Sequence, residues 1–505
     1  MSKNKECIIA VMLSVFCAFT VLYVATTSSP LYATNFWTDT NIFLTMGRGI
    51  AQGMVPYRDL VDQKGPLIFL IYALAAFISD SSFFGAFLLE CISMSIFLFV
   101  AWKTVVLYGK GSLTYAVIPL TAMITVCSTA FTQGGSAEEF MLPALCFAVY
   151  VTLRRMKEGG MTRCASRWMH VGFGVSMGWV FSIKYTDCGL FFGLGACLVL
   201  WILWNEGFKG TVRAVAEMLL GFCVVVVPIA VYLAANGALG ACLDIYFIQN
   251  MFVYSGKRMT FVEHIYNALA YLRTQSIANP AVAGLAIWGV ISVSIHALWK
   301  KGRGWLIHAF AIPVGAGLLL LFCYWGEMAH PYYALSFAAL VPLGCTSFGW
   351  IAAKADQYTH KAGILLTAVS VALTAILPQQ LCLAVPLQKV KREEMPQTIL
   401  AEIIMKEENP TLLDISSLDH GFYLAAGILP SCRYFCELNV DSQQKRESIQ
   451  RDLSQGTTQF VVSRYTNPGD KYELIAQASG VFDLNAPQTY FLYKRIEESA
   501  DGSDY

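Results

Sequence analysis

The chain has 505 residues, of which 56% are hydrophobic and 14% charged, with 35 Lys and Arg against 34 Asp and Glu for a net charge of +1. Soluble domains carry about 25% charged residues, so most of this chain is not soluble, and the near-zero net charge leaves no basic footprint for nucleic acid. The apolar character is uneven: residues 1–386 are hydrophobic runs divided by short charged loops, whereas 387–505 read as a soluble domain. Most of the 15 cysteines lie inside apolar runs, where they act as small hydrophobes. Cys432 and Cys436, in CRYFC, are a candidate disulfide if that domain lies outside the cell.

Spanning a bilayer takes about 20 apolar residues. Ile8–Thr27 qualifies, and Lys3 and Lys5 before it predict a cytoplasmic N-terminus. A polar stretch follows, TNFWTDTNIFLTMGRGIAQGMVPYRDLVDQKGP, from Thr34 to Pro66. Its middle carries Ile42, Phe43, Met46 and Ile50 at helical spacing, which predicts an interfacial helix with its apolar side in lipid. Leu67–Ile78 is apolar but short and reads as a re-entrant or interfacial helix on the outer side. Ten further candidate spans are Phe83–Trp102, Leu113–Phe131, Phe140–Leu153, Trp168–Ile183, Gly189–Trp204, Val215–Ala234, Ala281–Trp299, Trp305–Trp325, Tyr332–Ala352 and Ala362–Pro378. With Leu67–Ile78 left outside, Lys103, Lys110, Arg154, Arg155, Lys157, Lys300 and Lys301 all fall on the inner side, as the positive-inside rule requires. About 11 spans result, with a first outer loop at 28–82 and the C-terminal domain extracytoplasmic. Gly174/Gly178 and Gly189/Gly193 have helix-packing spacing. The loop from Asn236 to Asn279 predicts further interfacial helix. In the C-terminal part, Leu412–Ile415, Phe460–Ser463 and Tyr490–Tyr493 read as strands and Glu447–Leu453 as helix, giving a small α/β domain.

This topology gathers polar groups at the outer ends of the spans. Asp39, Arg58, Asp62 and Lys64 lie on the first loop, Glu138 and Glu139 on the second, and Lys184 at the end of a span. Glu327, His330, Tyr332 and Tyr333 lie in WGEMAHPYY. Ionisable groups at this depth need a partner or a purpose. A carboxylate there can take the proton of an attacking hydroxyl. Lys64, Lys184 and Arg58 can stabilise a leaving phosphate, and Trp37, Tyr332 and Tyr333 can stack against a sugar. Each has a plainer reading. Asp39 can cap a helix, Asp62 and Lys64 can pair with each other, and Lys184 can snorkel from a span end. The tyrosines can belong to an aromatic belt, and Glu90, mid-span, can bond a neighbouring helix.

The pieces FWTDTN, VDQKGPL, SAEEF, SIKYT and AHPYY, over residues 1–385, resemble the GT-C glycosyltransferases of bacteria, nearest the protein O-mannosyltransferase and aminoarabinose transferase types, family 39-like. The resemblance implies a mainly-α polytopic membrane enzyme, with the C-terminal α/β domain outside the matched region. It implies a polyprenyl-phosphate-linked sugar donor and a cell-envelope glycan, lipid or protein as acceptor. Asp39 matches the first-loop catalytic Asp, and Glu138 or Glu139 the second-loop acid. Lys64 and Lys184 match donor-phosphate lysines; beside that match, Asp62, Arg58, His330, Tyr332, Tyr333 and Trp37 are candidate substrate contacts from their place at the outer ends of the spans. The sequence departs from the pattern at Asp39-Thr40, where the family often has Asp-Glu, and at Gln63-Lys64-Gly65-Pro66, where it has Lys-Pro-Pro or Glu-Lys-Pro. No metal-ligand set is expected to be obligatory, although Asp39 and a second-loop Glu could bind Mg²⁺ or Mn²⁺ through oxygen. Competing readings are a transporter or lipid-linked-sugar flippase, which would carry polar groups at mid-membrane, and an envelope-assembly scaffold.

Overall fold

The structure is a computed structural model that describes residues 3–157, 162–254, 259–326, 330–354, 356–465, 467–482, 484 and 487–497. Its helices are α1 (Lys3–Ala25), α2 (Thr38–Ala51), α3 (Pro66–Ile78), α4 (Phe84–Val106), α5 (Val117–Val126), α6 (Ala137–Lys157), α7 (Arg163–Phe181) and α8 (Gly189–Ala235). After α9 (Leu239–Cys242) a π-helical segment, Leu243–Tyr254, leads to α10 (Phe261–Ala278), α11 (Pro280–Lys300) and α12 (Trp305–Cys323). A 3₁₀ stretch, Pro331–Leu340, then runs into α13 (Val341–Gly344), α14 (Thr346–Lys354) and α15 (Asp356–Leu381). Among the described residues, seven helical stretches are long and apolar enough to cross a membrane by length and composition. They are Asn4–Ala25, Phe84–Val106, Tyr185–Ala235, Pro280–Lys300, Trp305–Cys323, Pro331–Ile351 and His360–Leu381. The fold is thus that of a mainly-α, multi-pass membrane protein.

Two local features follow from glycine. Gly207 has φ 75° inside α8 and breaks it into two legs. A left-handed residue costs glycine nothing, so the chain turns there and resumes helix at once, where the sequence predicts a loop reaching to Val215. Close helix approach is the second. A β-carbon on Gly174 would lie 1.8 Å from the Met218 carbonyl oxygen, and one on Gly193 would lie 2.6 Å from the Gly315 Cα. The two predicted small-residue faces therefore join α7 to α8 and α8 to α12.

α3 has 13 residues, about 20 Å at 1.5 Å per residue, which is short of the roughly 30 Å hydrocarbon core. Its Leu74, Phe77 and Ile78 are exposed while Ile68, Phe69 and Tyr72 are buried. α2 differs from expectation. The helix forms, but Ile42, Phe43 and Met46 are each 1% exposed and face protein rather than lipid. Its polar side is buried too. Thr45 Oγ1 donates to Asp419 Oδ2 at 2.7 Å, and Arg48 Nη1 donates to the carbonyls of Tyr423 (3.2 Å) and Ile428 (3.1 Å). A 3.6-residue apolar period identifies a buried stripe without saying whether lipid or protein covers it.

What covers the polar side of α2 is the C-terminal part of the chain. There α16 (Pro396–Ile404), α17 (Phe422–Ala425) and α18 (Gln443–Gln455) pack with four strands, β1 (Leu412–Asp414), β2 (Phe460–Ser463), β3 (Tyr472–Gly480) and β4 (Gln488–Arg495). The sheet order is β1-β2-β4-β3, with β1 and β2 parallel and the other pairs antiparallel. Leu412, Leu413, Val461, Val462, Tyr490 and Leu492 form its core. β3 has no counterpart in the sequence reading: it is an edge strand with most side chains exposed, so its alternation is weak. Cys432 and Cys436 are both free and buried, so the candidate disulfide does not form. The first loop and this part are stitched further by Val61 N–H to the Arg433 carbonyl (3.1 Å), Arg433 Nη2 to the Tyr57 carbonyl (2.9 Å) and the Phe36–Phe482 ring contact (6.1 Å).

Candidate active site

Asp39 lies in the first turn of α2, but Trp37 occupies the N-cap position and makes no side-chain cap bond. Capping therefore does not account for Asp39. Its Oδ2 is 3.6 Å from Lys64 Nζ and accepts a 3.4 Å hydrogen bond from Tyr332 Oη. Tyr332 packs edge-on against Trp37 at 5.1 Å, and Lys64 Nζ is 5.7 Å from the Tyr332 ring centre. Four sequence-predicted residues from three separate stretches thus meet at one carboxylate.

Lys64 is held by its backbone. Tyr57, in the left-handed region at φ 67°, donates its hydroxyl to the Lys64 carbonyl at 2.6 Å. Asp62 Oδ2 accepts the Lys64 amide at 3.1 Å. Asp62 does not take the lysine side chain, which reaches Asp39 instead. Burial pushes Asp62 up to about 6, against the pull of the Lys64 charge. Burial also opposes the charge on Lys64, but the Asp39 and Glu138 carboxylates outweigh it and hold that ammonium above the usual lysine range.

The next residue explains a departure from the family pattern. Gly65 N–H donates to the Ile183 carbonyl at 3.0 Å, and Leu67 N–H to the Ser182 carbonyl at 2.9 Å. A proline at 65 has no N–H for that bond, and a β-carbon there would lie 2.3 Å from the Ser182 oxygen. The loop bearing Lys64 is therefore fastened directly to the segment bearing Lys184.

Lys184 Nζ donates to Glu138 Oε1 at 2.6 Å, lies 3.8 Å from Asp187 Oδ2 and sits 3.3 Å from the Tyr333 ring centre. Asp187 is fully buried and also accepts a bond from the Ser336 hydroxyl. Glu138 Oε2 is buried with no hydrogen-bond partner among the described residues. Glu139 takes another role. Its Oε1 accepts the Ser136 amide (3.0 Å) and its own amide donates to Ser136 Oγ (3.1 Å), a reciprocal cap on α6. His330 Nε2 is 2.9 Å from Tyr254 Oη and its ring stacks on Tyr332. Burial, then the nearby Lys64, keep His330 below its usual pKa.

Arg58 stays apart: it is exposed, doubly bonded to Asp59 and donates to the Asn236 carbonyl. Glu327 lies outside the described residues. Asp187, Ser336, Tyr254 and Asn250 belong to the site without having been singled out in the sequence. Only Asp187 had a signal, three residues after Lys184 in SIKYTD. Asn250 matters through its Nδ2, which donates to the Gln63 carbonyl at 2.8 Å and fixes the loop from above.

Lys64 and Lys184 both line a cavity of about 700 Å³. Its other walls include Met251, Phe252, Phe322, Trp325 and Tyr333. Two ammonium groups beside an apolar wall suit an anionic head with a hydrocarbon tail. For a metal the fit is poor. Among the described residues no group of three or more His, Cys, Asp and Glu converges, and Asp39 and Glu138 each already face a lysine.

No protein-family model matches the sequence, and no curated protein matches it. Solved structures do match. ArnT from Cupriavidus metallidurans bound to undecaprenyl phosphate is similar with a TM-score of 0.62 at 11% identity, covering 98% of this chain and 99% of that one. The apo state of the same protein gives 0.60 over the same shares. An Archaeoglobus fulgidus oligosaccharyltransferase complex with Zn and sulfate gives 0.48 at 11% identity, covering 91% of this chain and 67% of that chain. The near-complete match shows that this chain shares the fold of ArnT, and that the match extends through the C-terminal part, which the sequence resemblance did not reach.

Proposed function

We propose that this protein is an integral-membrane glycosyltransferase that moves a sugar from a polyprenyl-phosphate donor to a cell-envelope acceptor at the outer membrane face. The observation that carries this reading is the Asp39–Lys64 pair, 3.6 Å apart beside a cavity with two lysines and apolar walls. The undecaprenyl phosphate bound by ArnT supports the donor class. The polar groups gather at helix ends rather than at mid-membrane, which favours an enzyme over a flippase.

In this reading the donor's phosphate sits between Lys64 and Lys184, with its prenyl chain along Phe252, Phe322 and Trp325. Asp39 accepts the proton of an acceptor hydroxyl as that oxygen attacks the anomeric carbon. The bond from the anomeric carbon to the phosphate oxygen breaks, and the lysines stabilise the polyprenyl phosphate that leaves. One displacement inverts the anomeric configuration. Glu138 holds Lys184 in place, while Tyr332 and Trp37 flank Asp39. Mg²⁺ or Mn²⁺ would have to displace a lysine from Asp39 or Glu138, so we assign no obligatory metal.

Eleven crossings, formed by α1, α4, α5, α6, α7, the two legs of α8, α11, α12, the 331–354 stretch and α15, put Asp39 and residues 387–505 on the same outer side. The bonds from the C-terminal part to α2 and to Val61 support that shared side. Sugar transfer from a polyprenyl-phosphate sugar in membranes bearing the protein tests the function. We expect inverted product and a rate unchanged by chelator. Absence of transfer with every donor sugar tried, at normal protein level, would sink the assignment.

A further inference from the structure

A second cleft lies away from the lysine cavity and shares no lining residue with it. It has a volume of about 380 Å³ and sits between the first outer loop, the start of α4 and the C-terminal part. Thr34, Ser81 and Thr398 bring hydroxyls to its wall, Arg392 brings a cation, and Phe84 brings an exposed ring. Gln397, 2% exposed, also lines it. The Gln397 amide is oriented by its Nε2, which donates to the His420 carbonyl at 2.9 Å, so its Oε1 is the free end. That oxygen is buried and has no hydrogen-bond partner among the described residues. A buried acceptor without a donor is costly to leave unmet, and a ligand bearing hydroxyls meets it.

We infer that this cleft is a carbohydrate-binding site that takes a neutral, hydroxyl-rich sugar unit of one or two rings. Sugar hydroxyls donate to Gln397 Oε1 and exchange bonds with Thr34, Ser81 and Thr398. Arg392 donates to ring or hydroxyl oxygens, and an apolar sugar face rests on Phe84. A hydrocarbon ligand would leave the hydroxyls and Gln397 Oε1 unpaired. An anion would find one cation at the wall, whereas the lysine cavity offers two. The site goes beyond the transfer reaction, because neither Asp39 nor Lys64 lines it. It gives the C-terminal part a ligand-holding role in addition to its packing on α2.

Saturation-transfer NMR on the full chain in a sugar-free detergent tests this, with glucose, galactose, mannose, N-acetylglucosamine, maltose and chitobiose as probes. We expect signal for at least one sugar. That signal should weaken about tenfold in affinity in Gln397→Leu, Thr398→Val or Arg392→Ala, the loss of one good hydrogen bond, and persist in Lys64→Ala. Thr398→Val and Arg392→Ala carry the test if Gln397→Leu does not fold, since both residues lie at the surface of the cleft. No signal from any probe overturns the proposal. So does a signal that survives the cleft variants, and so does one that disappears in Lys64→Ala, which would put the sugar in the other cavity.

Discussion

Lys64 and Lys184 line the same cavity, their chain segments tied by the Gly65–Ile183 backbone bond, yet their surroundings differ. Lys184 has a 2.6 Å bond to Glu138, a second carboxylate at 3.8 Å and an aromatic face at 3.3 Å. Lys64 has one carboxylate, at 3.6 Å, beyond hydrogen-bond range. Both side chains are about a tenth exposed. Near-equal burial with unequal pairing separates two jobs. In the proposed reaction Lys184 is the cation fixed in place by Glu138 and Asp187, while Lys64, more loosely paired, has more of its donors free for the phosphate. The same contrast holds for the acids. Glu138 is spent on Lys184 through one oxygen, whereas Asp39 is loosely engaged and can accept a proton.

The largest expected effect breaks the loose pair at its acid. Asp39→Asn keeps size and local packing but cannot accept a proton at neutral pH. Loss of a general base costs about 10²–10⁴ in rate, so turnover should collapse while donor binding and protein level hold. Full activity in Asp39→Asn would make Asp39 a partner for Tyr332 and Lys64 only, and would shift suspicion to Glu138.

Next in size is the tight pair. Glu138→Gln leaves Lys184 buried against Asp187 alone. Removing one partner of a buried ion pair costs about 3–5 kcal/mol, so this variant should lose thermal stability and yield before it loses chemistry. A normal melting temperature together with a large rate defect would reverse the roles assigned to the two pairs. Lys64→Ala comes third. It deletes the more loosely paired cation, and a hydrogen bond to a charged group is worth about 1.5–3 kcal/mol. Donor affinity should fall by roughly 10- to 100-fold, with melting temperature nearly unchanged. A variant that melts early would mean that Lys64 is as structural as Lys184.

Much of this arrangement was legible in the sequence, for physical reasons. Lipid demands long apolar runs, so the helices announce themselves, and an ionisable residue at the end of such a run is costly enough to be noticed. Asp39, Lys64, Glu138 and Lys184 stand out that way as candidates, with Tyr332 and Tyr333 as aromatics beside them. Who pairs with whom was not legible. Asp62 and Lys64 are neighbours in sequence, but the lysine crosses to Asp39 because Tyr57, Asp62 and Gly65 fix its backbone with the side chain pointing into the cavity. Glu138 and Glu139 are adjacent and look alike, but one helix position separates a lysine partner from a cap, since successive helical side chains diverge by about 100°. The sidedness of α2 was hidden for a related reason: an apolar stripe buried in protein has the same period as one buried in lipid. Only the packing of that stripe on α3, where Phe43 meets the rings of Phe69 and Tyr72, decides between them.

The docking of the C-terminal part on α2 gives the last and smallest prediction. Asp414 lies beneath it, fully buried, accepting the Ser416 amide at 2.9 Å and the His420 amide at 3.3 Å. Burial, then the nearby Asp419, push it up to about 7. Because the folded-state value is raised, the folded state binds the proton more tightly than the unfolded chain. The stabilisation is full below the ordinary carboxylate range, near 4, and is lost as pH rises through about 7. His420 works in the opposite sense. Burial keeps it neutral down to about 4, so the folded state resists its protonation and loses stability as pH falls below about 6.5. The two slopes overlap between about pH 4 and 7, and the wild-type melting curve alone cannot separate them. Asp414→Asn can. It is less stable outright, because its amide puts an N–H against one of the N–H groups that the carboxylate accepted. Its stability relative to wild type should nevertheless improve from pH 5 to pH 8, by on the order of a few degrees in melting temperature. The C-terminal part packs on α2 through the neighbouring Asp419, so the same shift should appear in a probe of the α2 contact, such as protection of the Thr45 and Arg48 amides from exchange. A constant offset between the two proteins across that range would mean that Asp414 is ionised throughout and that the three donors it accepts, the Ser416 amide and hydroxyl and the His420 amide, outweigh burial.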